Sequence, residues 1–503
     1  MAINTIKKPL LIALFIFFPL YSAYPIPKEV EKALMLNRIN HFDEALEVVN
    51  NALAEEKIKP DITSAYTIGR ILYRKGVLYR EMAKIDVLTQ VGSLLQIKQS
   101  GPDFTEEIKV FLGMAYFFNN QFKESIDVLR NMVKNKKLNG QLYNLSLVYL
   151  GASYYKTDQK QKSQKIWEMV NTTNPLAGSV LGYMYVHLDI DPVRAEEITR
   201  KALLQAQQKN PVYIHTLKVN HAYALLGIGK FNQAYEMVSK VNLDSPMYVY
   251  RPDQKTEMRF YDLSLLDSYS KIIFGESIKN LEPIITASSG ELASFASYYV
   301  AQMYLFLGEM EKSNQYAARA RKLSVVSSLT MIRAVALEAS TYILRQDPKK
   351  GIKLMQEETE RIYGEPSALL EMIEVLISSG VDYGEIKKFV DKVEEYIYDS
   401  KWNRSRRDNA LLGELSLYTG RTIRALYYLE RTRDKPHKNK IETNDPTFLL
   451  KLSYVYYIEE YFPESLEILF AMGKHFSGVR PLQDAVQTVY SYKQKGAGEA
   501  ILD

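Results

Sequence analysis

A short unit recurs along this chain: Leu-Gly-x-x-Tyr, followed about nine to twelve residues later by a small residue and then by an aromatic or aliphatic one. The clearest copy comprises Leu150, Gly151, Tyr154, Ser163 and Trp167. Two further copies flank it, Leu112-Gly113-Tyr116 with Ser125 and Leu129, and Leu181-Gly182-Tyr185 with Ala195 and Ala202. A unit that repeats at about 34 residues is typical of a solenoid, in which function is carried by an extended surface.

The composition fits a large helical array without disulfide bonds. The chain has 503 residues, of which 47% are hydrophobic, and 37 tyrosines, many of them at repeat positions. It has no cysteine, which excludes disulfides, thiolate metal sites, a cysteine nucleophile and lipidation at an amino-terminal cysteine. The formal net charge of +5 does not indicate a polyanion as partner.

The amino terminus resembles an export signal. Lys7 and Lys8 precede an apolar run from Pro9 to Leu20, and Ala23 is a plausible last residue of the signal. A run of 12 residues is short for a membrane span. We therefore expect residues 1–23 to direct export to the periplasm of a Gram-negative-type envelope; retention of the segment as a membrane anchor and its burial as a helix are the alternatives.

The rest of the chain has helical periodicity, with apolar residues at i, i+3, i+4 and i+7 and no convincing strand pattern. Turn signals such as Asn40–Phe42, Gly229–Phe231 and Glu460–Phe462 divide it into hairpins, and Gly76 is read as another turn. We expect one array over 24–250, a divergent hairpin over 251–293, a second array over 294–480, and a capping helix with a tail over 481–503.

This pattern resembles the tetratricopeptide repeat (TPR) family. Residues 144–177 carry most of the signature, including Trp167 in the second helix and Pro175 at the end. The resemblance implies an all-α fold, a right-handed superhelical solenoid of about twelve helix-turn-helix hairpins. Two departures are clear: the family's first-helix tryptophan is absent, and its second-helix alanine is often serine, as at Ser125, Ser163, Ser313 and Ser465.

Signatures of catalysis are missing from the sequence. The six histidines form no His-Glu-x-x-His, and neither a Gly-x-Ser-x-Gly elbow nor a phosphate-binding loop occurs. Gly227–Lys230 is explained as a hairpin turn, and Glu357, Glu358 and Glu360 as a solvated helix face. We therefore expect no enzymatic activity, no cofactor, no metal site and no small-molecule substrate.

In the register of the TPR family, certain first-helix aromatic residues would face a concave groove that holds a partner peptide or helix. Packing between adjacent hairpins is the alternative for these rings. The predicted groove residues are Phe117, Tyr155, Tyr183, Tyr223, Tyr298, Tyr418, Tyr454 and Tyr457.

Charge is segregated near the carboxyl end. Residues 353–399 contain 12 acidic and 5 basic residues, whereas residues 401–440 contain 11 basic and 4 acidic ones. Opposite fields steer a partner or a second copy, or neutralise each other between neighbouring hairpins. The predicted basic patch comprises Arg404, Arg406, Arg407, Arg421 and Arg424, of which the first three are expected to be exposed and to contribute little to stability.

Together these features predict a non-catalytic periplasmic scaffold or adaptor that binds other envelope proteins. The alternatives are a structural component of a motility, pilus or secretion machine, and a cell-wall or glycan-binding accessory module. Nucleic acid is not expected as a partner of an exported chain. Membrane association is expected only if the signal is retained, and self-association is left open.

Overall fold

The computed structural model describes residues 26–100, 105–134, 138, 140–251, 257–326, 328–362, 365–433, 439–476, 482 and 484–487. The predicted signal at 1–23 and most of the predicted cap and tail at 481–503 lie outside these residues. The helices of the first half are α1 (Lys28–Arg38), α2 (Phe42–Ala54), α3 (Ile62–Ser100), α4 (Glu106–Phe118), α5 (Phe122–Lys134), α6 (Gly140–Lys156), α7 (Lys160–Trp167), α8 (Pro175–His187), α9 (Pro192–Gln207), α10 (Ile214–Gly227) and α11 (Phe231–Val238).

Two short strands follow, β1 (Tyr248–Tyr250) and β2 (Met258–Phe260), and then the remaining helices. These are α12 (Leu265–Ala287), α13 (Glu291–Phe306), α14 (Met310–Leu323), α15 (Leu329–Leu344), α16 (Pro348–Arg361), α17 (Pro366–Ser378), α18 (Tyr383–Asp399), α19 (Arg406–Tyr418), α20 (Thr422–Glu430), α21 (Pro446–Ile458) and α22 (Phe462–His475). The all-α prediction is confirmed, since the described chain is helical apart from β1, β2 and the turns.

In the described chain, ten pairs of helices that follow each other in sequence are joined by tight turns. Each of these turns contains one residue with positive φ. Glycine takes this conformation without a steric penalty, and asparagine and aspartate tolerate it better than most other residues. The backbone N–H of the next residue then bonds back into the first helix, as from Gln121 to the Tyr116 carbonyl. The ten residues are Asn40, Asn120, Asp158, Asp189, Gly229, Gly308, Gln346, Gly380, Gly420 and Glu460.

Within a pair, a glycine of the first helix lets the second helix approach closely. A Cβ placed on Gly151 would lie 2.4 Å from Nε1 of Trp167, and one on Gly113 would lie 2.6 Å from the Leu129 side chain. Gly413 has the same relation to Leu429. The two helices of each of these three pairs therefore approach closely at the glycine, and the large side chain follows the glycine by 16 residues in all three.

The serines that replace alanine in the second helices have different roles. Ser125 Oγ donates to the carbonyl of Gly113 at 2.8 Å, and Ser465 Oγ donates to the carbonyl of Ser453 at 2.9 Å, so each hydroxyl links the two helices of a pair. Ser163 and Ser313 are equally buried, but their hydroxyls have no hydrogen-bond partner. Serine at this position therefore forms a hydrogen bond between the two helices in some pairs only.

Pro175 begins a helix rather than ending one. The preceding helix α7 already ends at Trp167, and Pro175 is the first residue of α8. Proline suits this position because its missing N–H would have no partner in the first turn. The side chain of Asn174 caps the same helix by accepting from the N–H of Ala177 at 3.1 Å.

Two long helices replace hairpins that the sequence predicts. Gly76 is not a turn, because α3 continues through it to Ser100; the glycine instead accommodates Phe274 of α12, whose ring would lie 2.5 Å from a Cβ at this position. The described residues of the predicted hairpin 251–293 form no helical hairpin either, since α12 is one helix of 23 residues. Glycine marks a close helix contact as well as a turn, and the two uses look alike in sequence.

The sequence also missed the antiparallel β1–β2 pair, in which Tyr248 lies opposite Phe260. Each strand has three residues, too few for an alternating pattern to be recognised. Phe260 is buried, and its ring stacks on Phe111 of α4 with centroids 3.8 Å apart. The strand pair thus covers the side of α4 with an aromatic contact.

Contacts divide the chain into two compact units, each built from two segments. The first unit comprises Met1–Leu72 and Ser277–Ser400, and the second unit comprises Tyr73–Glu276 and Lys401–Asp503. Among the described residues, no helix is long and apolar enough to cross a membrane. The right-handed superhelix stays a prediction.

Candidate functional site

The second unit contains a cavity of about 500 Å³ at which the ends of three first helices and two long helices meet. We call it the aromatic–lysine cavity. Each first helix ends just before its turn, so its last side chains are brought together at one end of the pairs. The lining side chains that carry the argument are Arg80 and Lys84 of α3, Phe117 and Phe118 of α4, Lys156 of α6, Tyr183 and His187 of α8, and Asp267 of α12.

Aromatic rings form a continuous layer behind the cavity. Phe117 and Phe118 each lie 5.8 Å from the ring of Tyr149, and Tyr183 lies 5.5 Å from Tyr223. Tyr149 is fully buried, and burial raises the pKa of its hydroxyl well above the ordinary value. Tightly packed aromatic pairs of this kind hold the rings in place, so the layer is a preformed surface rather than a flexible one.

Positive charge exceeds negative charge around the cavity. Glu81 accepts from Arg80 at 3.1 Å and from Lys84 at 2.8 Å, so two cations share one carboxylate. Asp267 pairs with Lys271 at 2.7 Å. Among the side chains that line the cavity itself, Arg80, Lys84 and Lys156 are cationic and Asp267 is anionic.

Lys156 differs from the other cations of the cavity in having no carboxylate partner in the described chain. Its side chain is exposed. Partial burial, together with the nearby Lys271 ammonium, lowers the pKa of Lys156. A neighbouring anion would relieve this repulsion, so the electrostatics of the cavity favour an anionic occupant.

His187 is a neutral polar group of the cavity. Burial and the Lys271 ammonium lower the pKa of His187 to about 3, so the ring is uncharged at neutral pH. Its Nδ1 lies 3.1 Å from the hydroxyl of Tyr183, and the two rings stack at 5.2 Å. A hydrogen bond and ring packing are enough to explain this histidine without a catalytic role.

The predicted groove residues fall into separate places. Phe117, Tyr183 and Tyr223 are brought together behind the cavity, although each is buried rather than solvent-facing. Tyr155 is half-buried and stacks on Trp167 with centroids 6.1 Å apart. Contact of these rings with a partner stays a prediction, and the packing alternative accounts for most of their surface.

Two other predicted groove residues lie away from the cavity. Tyr298, in the first unit, is 5% exposed, and burial raises the pKa of its hydroxyl. Tyr418 is half-buried at the end of α19. Both belong to the interior or its margin, as expected for rings between adjacent helix pairs.

Tyr454 and Tyr457 line a second depression, which is mainly apolar. It lies between α3, α21 and α22 of the second unit and includes Leu88 and Leu469. Tyr454 is 39% exposed, the most accessible of the predicted groove residues. No charged side chain lines this depression in the described chain, so its chemistry does not select one partner class.

The predicted basic patch is partly structural. Arg406 donates to the carbonyl of Thr432 and, at 2.7 Å, to Oδ1 of Asn444. Arg404 lies 5.8 Å from the Trp402 ring and 5.7 Å from the Tyr428 ring, while Arg407 lies 5.2 Å from the Phe448 ring. These contacts connect segments of the chain and argue against the expectation that the three side chains contribute little to stability, which stays a prediction. Arg421, just before α20, and Arg424 of α20 are exposed.

The acidic segment at 353–399 is less acidic at its surface than its sequence indicates. Glu358, Glu371 and Glu394 are buried. Glu371 pairs with Arg333 at 2.7 Å, and Glu358 pairs with Arg361 at 3.3 Å. Part of the charge segregation is thus neutralised inside the first unit.

The sequence did not identify the cations of the cavity. Arg80 and Lys84 lie on α3, Lys156 on α6 and Lys271 on α12, far apart along the chain. None of them belongs to a recognisable motif. The available signal was position along the repeat. Lys156 is the last residue of a first helix, and Phe117 and Tyr183 lie near the ends of two other first helices.

The chain resembles TPR proteins in its helix pairs, but no model of a known protein family matches it and no curated protein matches it. Solved structures that are similar include yeast Tom70, at 14% identity, covering 93% of this chain and 96% of that one, with a TM-score of 0.33. The Cut9–Hcn1 hetero-tetramer of the APC/C follows at 11% identity, 92% and 89% coverage and a TM-score of 0.28. The TPR domain of P58(IPK) matches at 12% identity, 78% and 99% coverage and a TM-score of 0.20. The description of the fold rests on the ten helix pairs themselves.

Proposed function

We propose that this protein is a non-catalytic scaffold that binds a segment of a partner protein in the aromatic–lysine cavity. The observation that carries the proposal is the combination of a preformed aromatic layer with a surplus of cations, including the exposed and unpaired Lys156. Such a cavity fits a peptide segment in which an aspartate or glutamate stands beside an apolar side chain. The carboxylate would approach Lys156, and the apolar group would cover Phe118.

The volume supports a peptide rather than a whole protein domain. A cavity of about 500 Å³ is in the range that holds a drug-sized ligand or a few residues. Affinity would come from burial of the apolar side chain, while the cations would speed association and select acidic segments. Salt would weaken the interaction because the accessible cations are screened.

A photo-crosslinker tests this site directly. p-Benzoylphenylalanine at Phe118 should form adducts with a partner protein in cells that produce the chain natively, since this half-buried ring lines the cavity. The matched control places the same crosslinker at Gln161, an exposed residue of α7. Adducts should appear at Phe118 and not at Gln161.

A charge-reversed variant tests the role of the cations. Lys156→Glu should abolish the adduct at Phe118, because it reverses the charge of an exposed cation that pairs with no carboxylate in the described residues. Lys156→Arg, which keeps the charge, should retain the adduct. Equal adducts in the wild type and in Lys156→Glu, or no adduct at Phe118, would refute the proposed site.

We further propose that the scaffold works in the periplasm of a bacterial envelope. The support is the sequence pattern of residues 1–23, with two lysines followed by an apolar run. Replacing Leu14 and Phe15 together by aspartate should retain the protein in the cytoplasm, whereas replacing them by isoleucine and leucine should not. Periplasmic recovery of the aspartate variant would contradict the assignment.

A further inference from the structure

Oxygen donors from three consecutive helices of the first unit meet at Glu282 of α12. The hydroxyl of Tyr304 in α13 donates to Oε1 of Glu282 at 2.8 Å, and the hydroxyl of Tyr316 in α14 donates to the same oxygen at 2.9 Å. The two tyrosine rings stack with centroids 5.5 Å apart. We call these three residues the tyrosine–glutamate cluster.

The fold holds the cluster in place. Tyr304 is buried, whereas Glu282 and Tyr316 are half-buried. Arg319 of α14 donates to the backbone carbonyl of Ile285 in α12 at 2.5 Å, so α14 is tied to α12 beside the cluster. Stacked rings and a bond between helices keep the three oxygens together before any ligand arrives.

The two hydrogen bonds use only one oxygen of the carboxylate. Among the described residues, Oε2 of Glu282 has no hydrogen bond and no ion pair. The nearby cation Lys312 lies 5.1 Å from the centroid of the Tyr304 ring, but it pairs with Glu309 at 3.5 Å and not with Glu282. Because Glu282 and Tyr316 are half-buried, the cluster presents its oxygens on a side that solvent reaches.

The spacing of these oxygens equals that of ligands around a small, hard cation. In an octahedron with metal–oxygen bonds of about 2.0 Å, neighbouring oxygens are about 2.8 Å apart. The phenol oxygens of Tyr304 and Tyr316 lie 2.8 and 2.9 Å from Oε1 of Glu282. A cation can therefore replace the two phenol protons with little movement of the side chains.

We propose that the tyrosine–glutamate cluster binds a ferric ion. The cluster offers oxygen alone, without nitrogen or sulfur, and so suits a hard cation better than zinc or copper. Phenols are protonated at neutral pH, and each must release its proton to the solvent when its oxygen binds a metal. A trivalent cation polarises phenol oxygens more strongly than Ca²⁺ or Mg²⁺, which favours iron(III). No sequence motif indicated this site, because its donors come from three helices.

Ferric citrate titrated into the full chain tests the site. Citrate keeps iron soluble, and the three oxygens of the cluster leave positions of the octahedron for citrate and water. Phenolate bound to ferric iron absorbs visible light by charge transfer, whereas phenol does not. The visible band should saturate at one ion per chain and should persist in an excess of Ca²⁺ or Mg²⁺.

Variants that keep the aromatic rings identify the ligands. Tyr304→Phe combined with Tyr316→Phe should abolish the band, because it removes both phenol oxygens and leaves the stacked rings. Glu282→Gln should lose the saturable band as well, since no carboxylate remains to bind the ion. Circular dichroism of each variant checks that the helices are retained.

The matched control is Tyr342→Phe in α15. Tyr342 lies eight residues before Lys350 and has that ammonium 3.9 Å from its ring centroid, as Tyr304 lies eight residues before Lys312. Its hydroxyl bonds to no carboxylate among the described residues, so Tyr342→Phe should keep the full band.

Four results would overturn the proposal. The first is that no visible band forms, and the second is that the band grows without saturating, as for an adventitious ion only. The third is that the folded double tyrosine variant keeps the band. The fourth is that Tyr342→Phe loses the band to the same extent.

Discussion

Gly151→Ala should destabilise its helix pair although alanine is the better helix former. The added Cβ would lie 2.4 Å from Nε1 and 2.6 Å from Cδ1 of Trp167, so the indole must move by about 1 Å to reach an ordinary contact distance. Trp167 is 8% exposed and donates through Nε1 to the carbonyl of Val148 at 3.0 Å. Movement of the ring would therefore disturb both packing and a buried hydrogen bond.

The magnitude follows from three contributions. Overpacking costs about 1–3 kcal/mol, and weakening the indole hydrogen bond costs about 1 kcal/mol. Alanine recovers up to about 1 kcal/mol of helix propensity over glycine. We expect a net loss of about 1–3 kcal/mol in the free energy of unfolding of this region, a shift of roughly 0.5–1.5 M in the urea midpoint when the slope is about 2 kcal/mol/M.

Fluorescence offers a local assay because the chain has only two tryptophans. In a Trp402→Phe background, emission reports on Trp167 alone, so urea titration follows the affected pair. Gly140→Ala is the matched control in the same helix, since a Cβ on Gly140 meets no atom within 4 Å. Its stability should be unchanged or slightly higher.

A double-mutant cycle isolates the steric contact. In a Trp167→Ala background, followed by circular dichroism, Gly151→Ala should no longer destabilise the protein because the ring has been removed. The reasoning is refuted if Gly151→Ala and Gly140→Ala have the same stability. It is also refuted if the cost at Gly151 persists without the indole.

Other predictions concern single side chains. Ser125→Ala should lower the free energy of unfolding by about 1 kcal/mol, because it removes a hydrogen bond between two helices. Ser163→Ala should raise the free energy of unfolding, because the buried hydroxyl of Ser163 has no hydrogen-bond partner in the described chain. Urea titration of both variants distinguishes the two outcomes. His187 binds a proton more readily in the unfolded chain than in the folded one. Its contribution to stability is therefore present above its unfolded pKa near 6.5 and is lost as the pH falls toward 3. When the free energy of unfolding is measured by denaturation between these two pH values, His187→Gln should make it depend less on pH. Arg406→Gln should lower the thermal midpoint, because Arg406 bonds Thr432 and Asn444; an unchanged midpoint would contradict this.

The sequence determined the local architecture because each feature of a helix pair depends on one or two residue types. A glycine, asparagine or aspartate at most turns supplied the left-handed conformation, as at Asn120 and Gly229. A glycine in the first helix allowed close approach of the second helix, as where Trp167 packs against Gly151. These requirements are local and steric, so they are visible in the order of the residues.

Tertiary structure decided which glycines lie at helix contacts rather than in turns, and which charged side chains lie close together. Gly76 lies inside α3 because Phe274, about 200 residues later, packs against it. The cations of the aromatic–lysine cavity come from α3, α6 and α12, and the bonds of Arg406 reach Thr432 and Asn444. Sequence spacing carries no information about such pairings, because contacts and Coulomb interactions depend on distances that only the folded chain sets.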